Sequence, residues 1–119
     1  MATTAEIGEA LADYRGRCNA NPRLRKMLRK WSRVCEFRSL DSDTVFVVTI
    51  VAGEITDVQA GPSTGPVDVS ISATSEDLAD MFWGDLNPAQ KYLTGEIKVV
   101  GSQEDVLRVD AMAAVIWVD

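Results

Sequence analysis

The sequence predicts a two-layer α+β domain, with helices packed on one face of a five-stranded mixed sheet. Two observations predict this class. First, helix-like and strand-like segments follow one another in the order α-α-β-β-β-β-α-α-β-α along the 119 residues. Second, the strand-like segments at 67–73 and 95–100 alternate apolar and polar residues. A strand with this pattern has one wet face, so the helices belong together on the other face of the sheet.

Two N-terminal helices are predicted, and each has a recognisable start. Thr3 and Glu6 have the spacing of a capping box, and apolar residues then recur at helical intervals. Asn21 followed by Pro22 is typical of an N-cap and a first helical position. This second helix is predicted over 22–31, with one apolar stripe and a strongly basic remainder.

Four strands are predicted next, because the apolar period changes to two from Arg33. The segment Val45–Val51 is almost continuously β-branched or aromatic, which is typical of a central strand. Short turns join the first three strands, so we expect these to run antiparallel. In the third strand Ile55 and Val58 have opposite parity, which indicates a β-bulge.

Helix signals return in the last part of the chain. Thr74 predicts a helix start and Gly84 its end, and Asn87 opens another helix that stops at Gly95. We expect these two helices to form a right-handed crossover between the fourth and fifth strands. Gly101 and Ser102 then lead into a predicted final helix, whose apolar residues run from Val106 to Trp117.

Length and composition predict one cytoplasmic domain over 1–119, with N-terminal helices in 1–31 and the sheet, crossover helices and last helix in 33–117. No apolar run is long enough to span a membrane, and no signal-peptide pattern opens the chain. Histidine, the commonest general base and metal ligand, does not occur. Cys18 and Cys35 lack a CxxC spacing and are expected to be small buried hydrophobes. We therefore predict no catalytic residue, metal or cofactor.

A stretch near the C-terminus combines features that are specific only together. It runs S-E-D-L-A-D-M-F-W-G-D-L-N-P-A-Q-K-Y-L-T-G-E-I-K-V-V-G. An acidic helix start and an apolar helix lead to a glycine, then Asn-Pro, an aromatic four residues later, and a strand between two glycines. This pattern resembles the core of the sterol carrier protein type 2 domain family. The matching positions are Gly84, Asn87, Pro88, Tyr92, Gly95, Ile97, Lys98, Val99 and Gly101.

The resemblance implies a five-stranded sheet covered by helices, with an apolar tunnel between the two layers. Members of the family bind sterols, fatty acids, fatty acyl-CoA and phospholipids. We therefore expect a bacterial, non-catalytic protein that binds or transfers a hydrophobic ligand, which need not be a sterol. Plain core packing is an equally good interpretation for each candidate lining residue. The candidates are Phe46, Met81, Phe82, Tyr92, Leu93, Val109, Met112, Ile116 and Trp117.

A basic helix over 22–31 lies within the segment 15–38, which holds nine of the twelve Lys and Arg residues, although the net charge of the chain is −6. The acidic total argues against nucleic-acid binding by the whole domain. Three interpretations of the basic face stay open: a solvated surface, docking on an anionic membrane, or recognition of a CoA or acyl-carrier phosphate. The basic residues are Arg23, Arg25, Lys26, Arg29 and Lys30.

A second hypothesis is a non-enzymatic dimerisation or accessory module of a lipid- or steroid-processing enzyme, with the tunnel closed by side chains. Phe82 and Trp83 are neighbours on one helix and cannot share a face, so one of them is expected to be exposed. Exposed Trp83 and Trp117 would suit such an interface, including that of a homodimer.

Overall fold

Helices and strands follow one another in the predicted order in a computed structural model that describes the backbone of residues 1–118 and the side chains of residues 1–112. The helices are α1 (Thr4–Ala20), α2 (Pro22–Leu28), α3 (Ser75–Trp83), α4 (Pro88–Thr94) and α5 (Gln103–Val118). The strands are β1 (Arg33–Ser39), β2 (Val45–Val51), β3 (Glu54–Ala60), β4 (Val69–Ala73) and β5 (Lys98–Val100). Among the described helices, none combines the length and the apolar character needed to cross a bilayer.

The five strands form one mixed sheet in the order β3-β2-β1-β4-β5. The first three strands run antiparallel as predicted, with Phe37 of β1 opposite Phe46 of β2. β4 adds to the other side of β1 in the parallel direction, and Phe37 is also in register with Ile71. The two-layer α+β class predicted from the sequence is confirmed.

The predicted right-handed crossover between the fourth and fifth strands is wrong. β4 and β5 are neighbours that run antiparallel, with Ser70 opposite Val100 and Ser72 opposite Lys98. In a crossover, the connecting segment returns the chain to the end of the sheet where the first strand began, so the next strand runs parallel to it. Here α3 and α4, with the turn after Gly84 between them, bring the chain back to the end of the sheet that β4 reaches.

The β-bulge predicted in the third strand is confirmed. Thr49 lies opposite Asp57, but the next residue of β2, Ile50, lies opposite Ile55. Thr56 is therefore the extra residue of the bulge. Because the bulge shifts the parity of the strand, Ile55 is buried and Val58 also packs against the core.

Aromatic side chains join α1 and α3 to the buried face of the sheet. The Phe82 ring of α3 lies 5.3 Å from the Tyr14 ring and 5.0 Å from the Phe37 ring, measured between centroids. Phe82 is fully buried while Trp83 is 39% exposed. The prediction that one of these two adjacent rings is exposed is confirmed.

The predicted helix caps form, but one helix end differs from the prediction. Glu6 and Thr3 make both hydrogen bonds of the capping box of α1. α2 ends at Leu28, three residues early, because the Trp31 N–H donates to the Leu28 carbonyl as the chain turns into β1. α5 begins at residue 103, directly after the Gly101-Ser102 pair as predicted, and the Ser102 hydroxyl caps it by accepting from the Asp105 N–H.

Both cysteines are free and buried, as predicted. Burial raises the pKa of the Cys18 thiol and of the Cys35 thiol to about 12. Since the thiolate is the reactive form, both side chains behave as small apolar groups at neutral pH.

Gly53→Ala is expected to lower the free energy of unfolding more than Gly95→Ala. Both glycines have left-handed backbones, with φ +78° and +83°, so both variants carry a strain of about 1 kcal/mol. A methyl group at Gly53 would also lie 2.7 Å from the Leu28 carbonyl oxygen, whereas one at Gly95 meets nothing within 4 Å. We expect a total loss of about 3 kcal/mol at Gly53 in equilibrium urea unfolding. Equal losses in the two variants would contradict this packing of the β2–β3 turn on α2.

Candidate functional site

A half-open apolar groove of about 370 Å³ lies where the helical layer meets the β4–β5 side of the sheet. Its floor includes Ile71 of β4 and Val99 of β5. Side chains of three helices and of the segment before β5 complete it. These lining residues are Met81, Pro88, Ala89, Tyr92, Leu93, Ile97, Gln103, Val106, Leu107, Val109 and Asp110.

The short helix α4 forms the outer wall of the groove. The Asn87 side chain caps it by accepting from the Ala89 N–H, and Gly95 ends it in the left-handed conformation. None of its seven residues, all of which the structure describes, is buried. Its apolar side chains therefore face water, with Tyr92 44% and Leu93 84% exposed. Exposed apolar side chains grouped at the edge of a groove are typical of a binding site.

An anchor formed by Asp105 fixes helix α5, which forms the opposite wall. The Asp105 carboxylate accepts from Trp31 Nε1 at 2.8 Å and from Arg33 Nε at 2.9 and 3.0 Å. Its side chain is only 7% exposed. Burial on its own raises the pKa of Asp105, but hydrogen bonds from Trp31, Arg33 and Ser102 outweigh it and lower that pKa. The carboxylate is therefore ionised at neutral pH, as its bond to Arg33 requires.

A small void lies beside the groove, on the side towards the sheet. It has a volume of about 20 Å³, enough for about one water molecule, and Tyr14 and Cys35 are among its lining residues. Met81 and Val109 line both the groove and the void, so they form the partition between them. A methionine suits this position because its unbranched thioether changes shape easily.

The structure places the sequence-predicted lining residues in four groups. Four of them lie together in the groove: Met81, Tyr92, Leu93 and Val109. Met112 lines the internal void. Phe46 and Phe82 are buried in the core and do not line the groove; Phe46 lies against the backbone of α1 at Gly8. Ile116 and Trp117 lie outside the described side chains.

Sequence reasoning missed several groove residues. Ala89, Tyr92 and Leu93 have i, i+3, i+4 spacing, so a search for one helical face would have added Ala89. Pro88 was interpreted only as a helix start, but its ring also lines the groove. Gln103 and Asp110 gave no signal in the sequence, because exposed polar residues on a helix are ordinary.

The basic residues, which we call the basic segment (residues 23–30), lie on and just after α2. All five of its Arg and Lys side chains are exposed, and only Arg25 has a described ion pair, with Glu54 at 3.2 Å. The Met27 carbonyl accepts from Arg108 Nη1 of α5 at 3.1 Å. The basic segment is therefore next to the helix that forms one wall of the groove, on the side away from the groove lining.

A sheet covered by helices on one face, with an apolar groove at its edge, defines a two-layer α+β domain with a surface site for an apolar group. The profile described as the SCP-2 sterol transfer family matches residues 12–114. The chain belongs to this family. A search of curated proteins found no match.

Solved structures with the same fold have low sequence identity to this chain. A crystal structure of sterol carrier protein 2 has a TM-score of 0.69 and 14% identity, over 92% of this chain and 94% of that one. A ubiquinone synthesis protein, UbiJ-SCP2, has a TM-score of 0.66 and 16% identity over the same shares. A solution structure of palmitated SCP2L2 from Aedes aegypti has a TM-score of 0.62 and 19% identity, over 98% and 95%.

Asp105→Asn is expected to lower the free energy of unfolding at pH 7 by about 2 kcal/mol, because charge-assisted hydrogen bonds to the anchor are lost. The folded-state pKa of Asp105 lies below the ordinary 3.8, so its ionisation stabilises the fold above about pH 4. That stabilisation disappears as the pH falls through the folded-state pKa. Urea unfolding at pH 7 and pH 3 should therefore show a smaller difference for the variant than for wild type.

The exposed Asp57 of β3 offers a matched control. Asp57→Asn should leave the stability at pH 7 close to that of wild type. If Asp105→Asn behaves like this control, the carboxylate does not anchor α5.

Proposed function

We propose that the protein binds one hydrophobic ligand, such as a fatty acid, fatty acyl-CoA, sterol or other lipid, and transfers it without catalysing a reaction. The observation that carries the proposal is the half-open apolar groove of about 370 Å³. Its volume lies within the range of about 300–1,000 Å³ that is usual for small-molecule sites. Leu107, which is 62% exposed, faces the apolar rim residues of α4 across the groove and supports the same interpretation.

The energetics favour a ligand with a long apolar part. An open groove fills with water, and each methylene that replaces water there contributes about 0.8 kcal/mol. Twelve methylenes would contribute about 10 kcal/mol before the entropy of immobilisation is subtracted. The binding free energy left after this subtraction corresponds to tight but reversible binding. A carrier needs such reversibility in order to release its ligand.

The partition formed by Met81 and Val109 gives the groove a means of adjusting to its ligand. A change of the Met81 rotamer would join the groove to the internal void and admit a longer tail. Backbone movement is not needed for this adjustment. We propose that Met81 sets the length of chain that the groove accepts.

The relatives favour the same function in general terms. The family is described by sterol transfer, and one relative of the same fold is described as palmitated. Another is described as a ubiquinone synthesis protein, which suits the accessory-module hypothesis. Under that hypothesis a partner would cover exposed Trp83, which is outside the groove lining, and the groove would need no lipid.

Ala89→Trp is expected to lower lipid affinity at least tenfold, whereas Gln90→Trp should leave it unchanged. Both positions are exposed on α4, but only Ala89 lines the groove. An indole there would displace two or more methylenes, at about 0.8 kcal/mol each. Titration with dodecanoate, dodecanoyl-CoA, 1-dodecanol and a sterol, read by native mass spectrometry, would measure the effect on whichever of these wild type binds.

A wild-type protein that binds none of these lipids, and whose melting temperature none of them changes, would contradict lipid carriage. Equal loss of binding in the two tryptophan variants would show that the lipid does not bind in the groove. Far-UV circular dichroism of both variants distinguishes a blocked groove from an unfolded chain.

We propose further that the basic segment holds the protein on an anionic membrane while lipid enters or leaves. The observation that favours this role is its position beside α5, which the Arg108–Met27 hydrogen bond fixes. Exposed cations near an anionic bilayer each contribute about 1 kcal/mol. Contact on this side leaves the groove close to the lipid surface, because α5 separates the two by the width of one helix.

Replacing Lys26 and Lys30 by Gln should weaken pelleting with vesicles that contain anionic lipid by roughly 30-fold, about 1 kcal/mol for each charge. Lys98→Gln on the outer face of β5 serves as the control and should change little. Pelleting should fall at high salt and with purely zwitterionic vesicles. Pelleting that depends on neither salt nor lipid charge would contradict membrane docking through this segment.

A further inference from the structure

The polar part of the groove lining lies mainly on α5 and contains an acid. Gln103 and Asp110 both line the groove and are exposed. They are seven residues apart, so they share one ridge of the helix and are separated by about 10 Å along its axis. Tyr92 of α4 adds a phenolic hydroxyl, and the other lining side chains are apolar. A ligand whose tail fills the apolar part therefore has its polar end beside this ridge.

The groove lining offers no positive charge to that polar end. Among the lining residues that the structure describes, none is Lys or Arg. Cations close by in sequence do not line the groove. Lys91 Nζ lies 3.0 Å from Asp77, and Arg108 donates to the Met27 carbonyl. Lys98 is exposed on the outer face of β5, opposite Ser72. Residues 113–119 contain no Lys, Arg or His that could supply one.

Among the described lining residues, Asp110 is therefore the one charged side chain that a negative charge on the ligand would meet. Like charges at a groove rim repel, and a carboxylate or phosphate that loses water there gains only the neutral donors of Gln103 and Tyr92. A hydroxyl or an amide has no such difficulty. It can donate to the Asp110 carboxylate, and the Gln103 amide can both donate and accept.

We propose that the groove selects an uncharged amphiphile whose polar end carries a hydroxyl or amide donor. This inference rests on the proposed lipid carriage. Asp110 is then the residue that determines specificity, because it discriminates against fatty acid carboxylates and the phosphates of acyl-CoA. Gln103 orients the polar end of the ligand, and the apolar lining holds its tail.

The test compares lipids that share a tail and differ in charge: dodecanoate, 1-dodecanol and 1-monododecanoylglycerol. Competition binding is measured at pH 8 and low ionic strength, where dodecanoate is ionised and screening is weak. The two uncharged lipids should bind wild type roughly three- to tenfold more tightly than dodecanoate, the ratio expected for one exposed like charge about 5 Å away. Asp110→Asn should raise the affinity for dodecanoate by a similar factor and change that for 1-dodecanol less than twofold.

Asp57→Asn, far from the groove lining, is the matched control and should leave all three affinities unchanged. Dodecanoate binding as tightly as 1-dodecanol, or an affinity ratio that Asp110→Asn does not alter, would overturn the selectivity and leave lipid carriage intact. Failure of all three lipids to bind wild type would overturn lipid carriage itself. The two failures are therefore distinguishable.

Discussion

The helical layer does not close over the β5 side of the sheet, and the groove follows from that. The connection from β4 to β5 must return to the end of the sheet that it left, because the two strands are antiparallel. Its second helix, α4, has seven residues and buries none of them. A helix of that length has little stability of its own, so it depends on the cap at Asn87, the turn at Gly95 and the neighbouring elements. Its apolar side chains are available to something other than the core.

Helix α5 joins the two surfaces on which the proposals rest. One side of it binds the start of β1 and the end of α2, through Asp105 and Arg108. Another side presents Val106 and Val109 to the groove. A carboxylate that is nearly buried and bonded to an indole and a guanidinium has only one favourable geometry. The anchor therefore fixes α5 relative to the start of β1, and so positions one wall of the groove.

The groove has an apolar part and a polar part, the latter formed by Gln103 and Asp110 of α5. The fold alone does not require this division. The part of the groove that we propose binds a lipid tail is apolar, and the thioether of Met81 can change shape there. The polar ridge of Gln103 and Asp110 lies on the same helix as the anchor, so the position of a ligand's polar end depends on the same bonds as the wall. Members of one family can share the sheet and the helices while such rim residues decide which lipid each accepts.

Sequence alone determined the elements of this protein and most of their ends. Asn21, Asn87, Gly84 and Gly95 mark helix boundaries through local hydrogen bonds and backbone preference, and these act over a few residues. The opposite parity of Ile55 and Val58 predicted the bulge for the same reason. The motif around Asn87 identified the family, and apolar positions on the last three helices supplied four of the groove residues.

Only the tertiary structure decided where the chain goes between those elements. The direction of β5 depends on pairing between residues about thirty positions apart, for which no local signal exists. Phe82 and Met81 are neighbours of similar hydrophobicity, yet one fills the core and the other lines the groove, because burial depends on what each helix face meets. The pairing of Asp105 with Trp31 and the position of Asp110 at the rim likewise arise only when distant segments pack together.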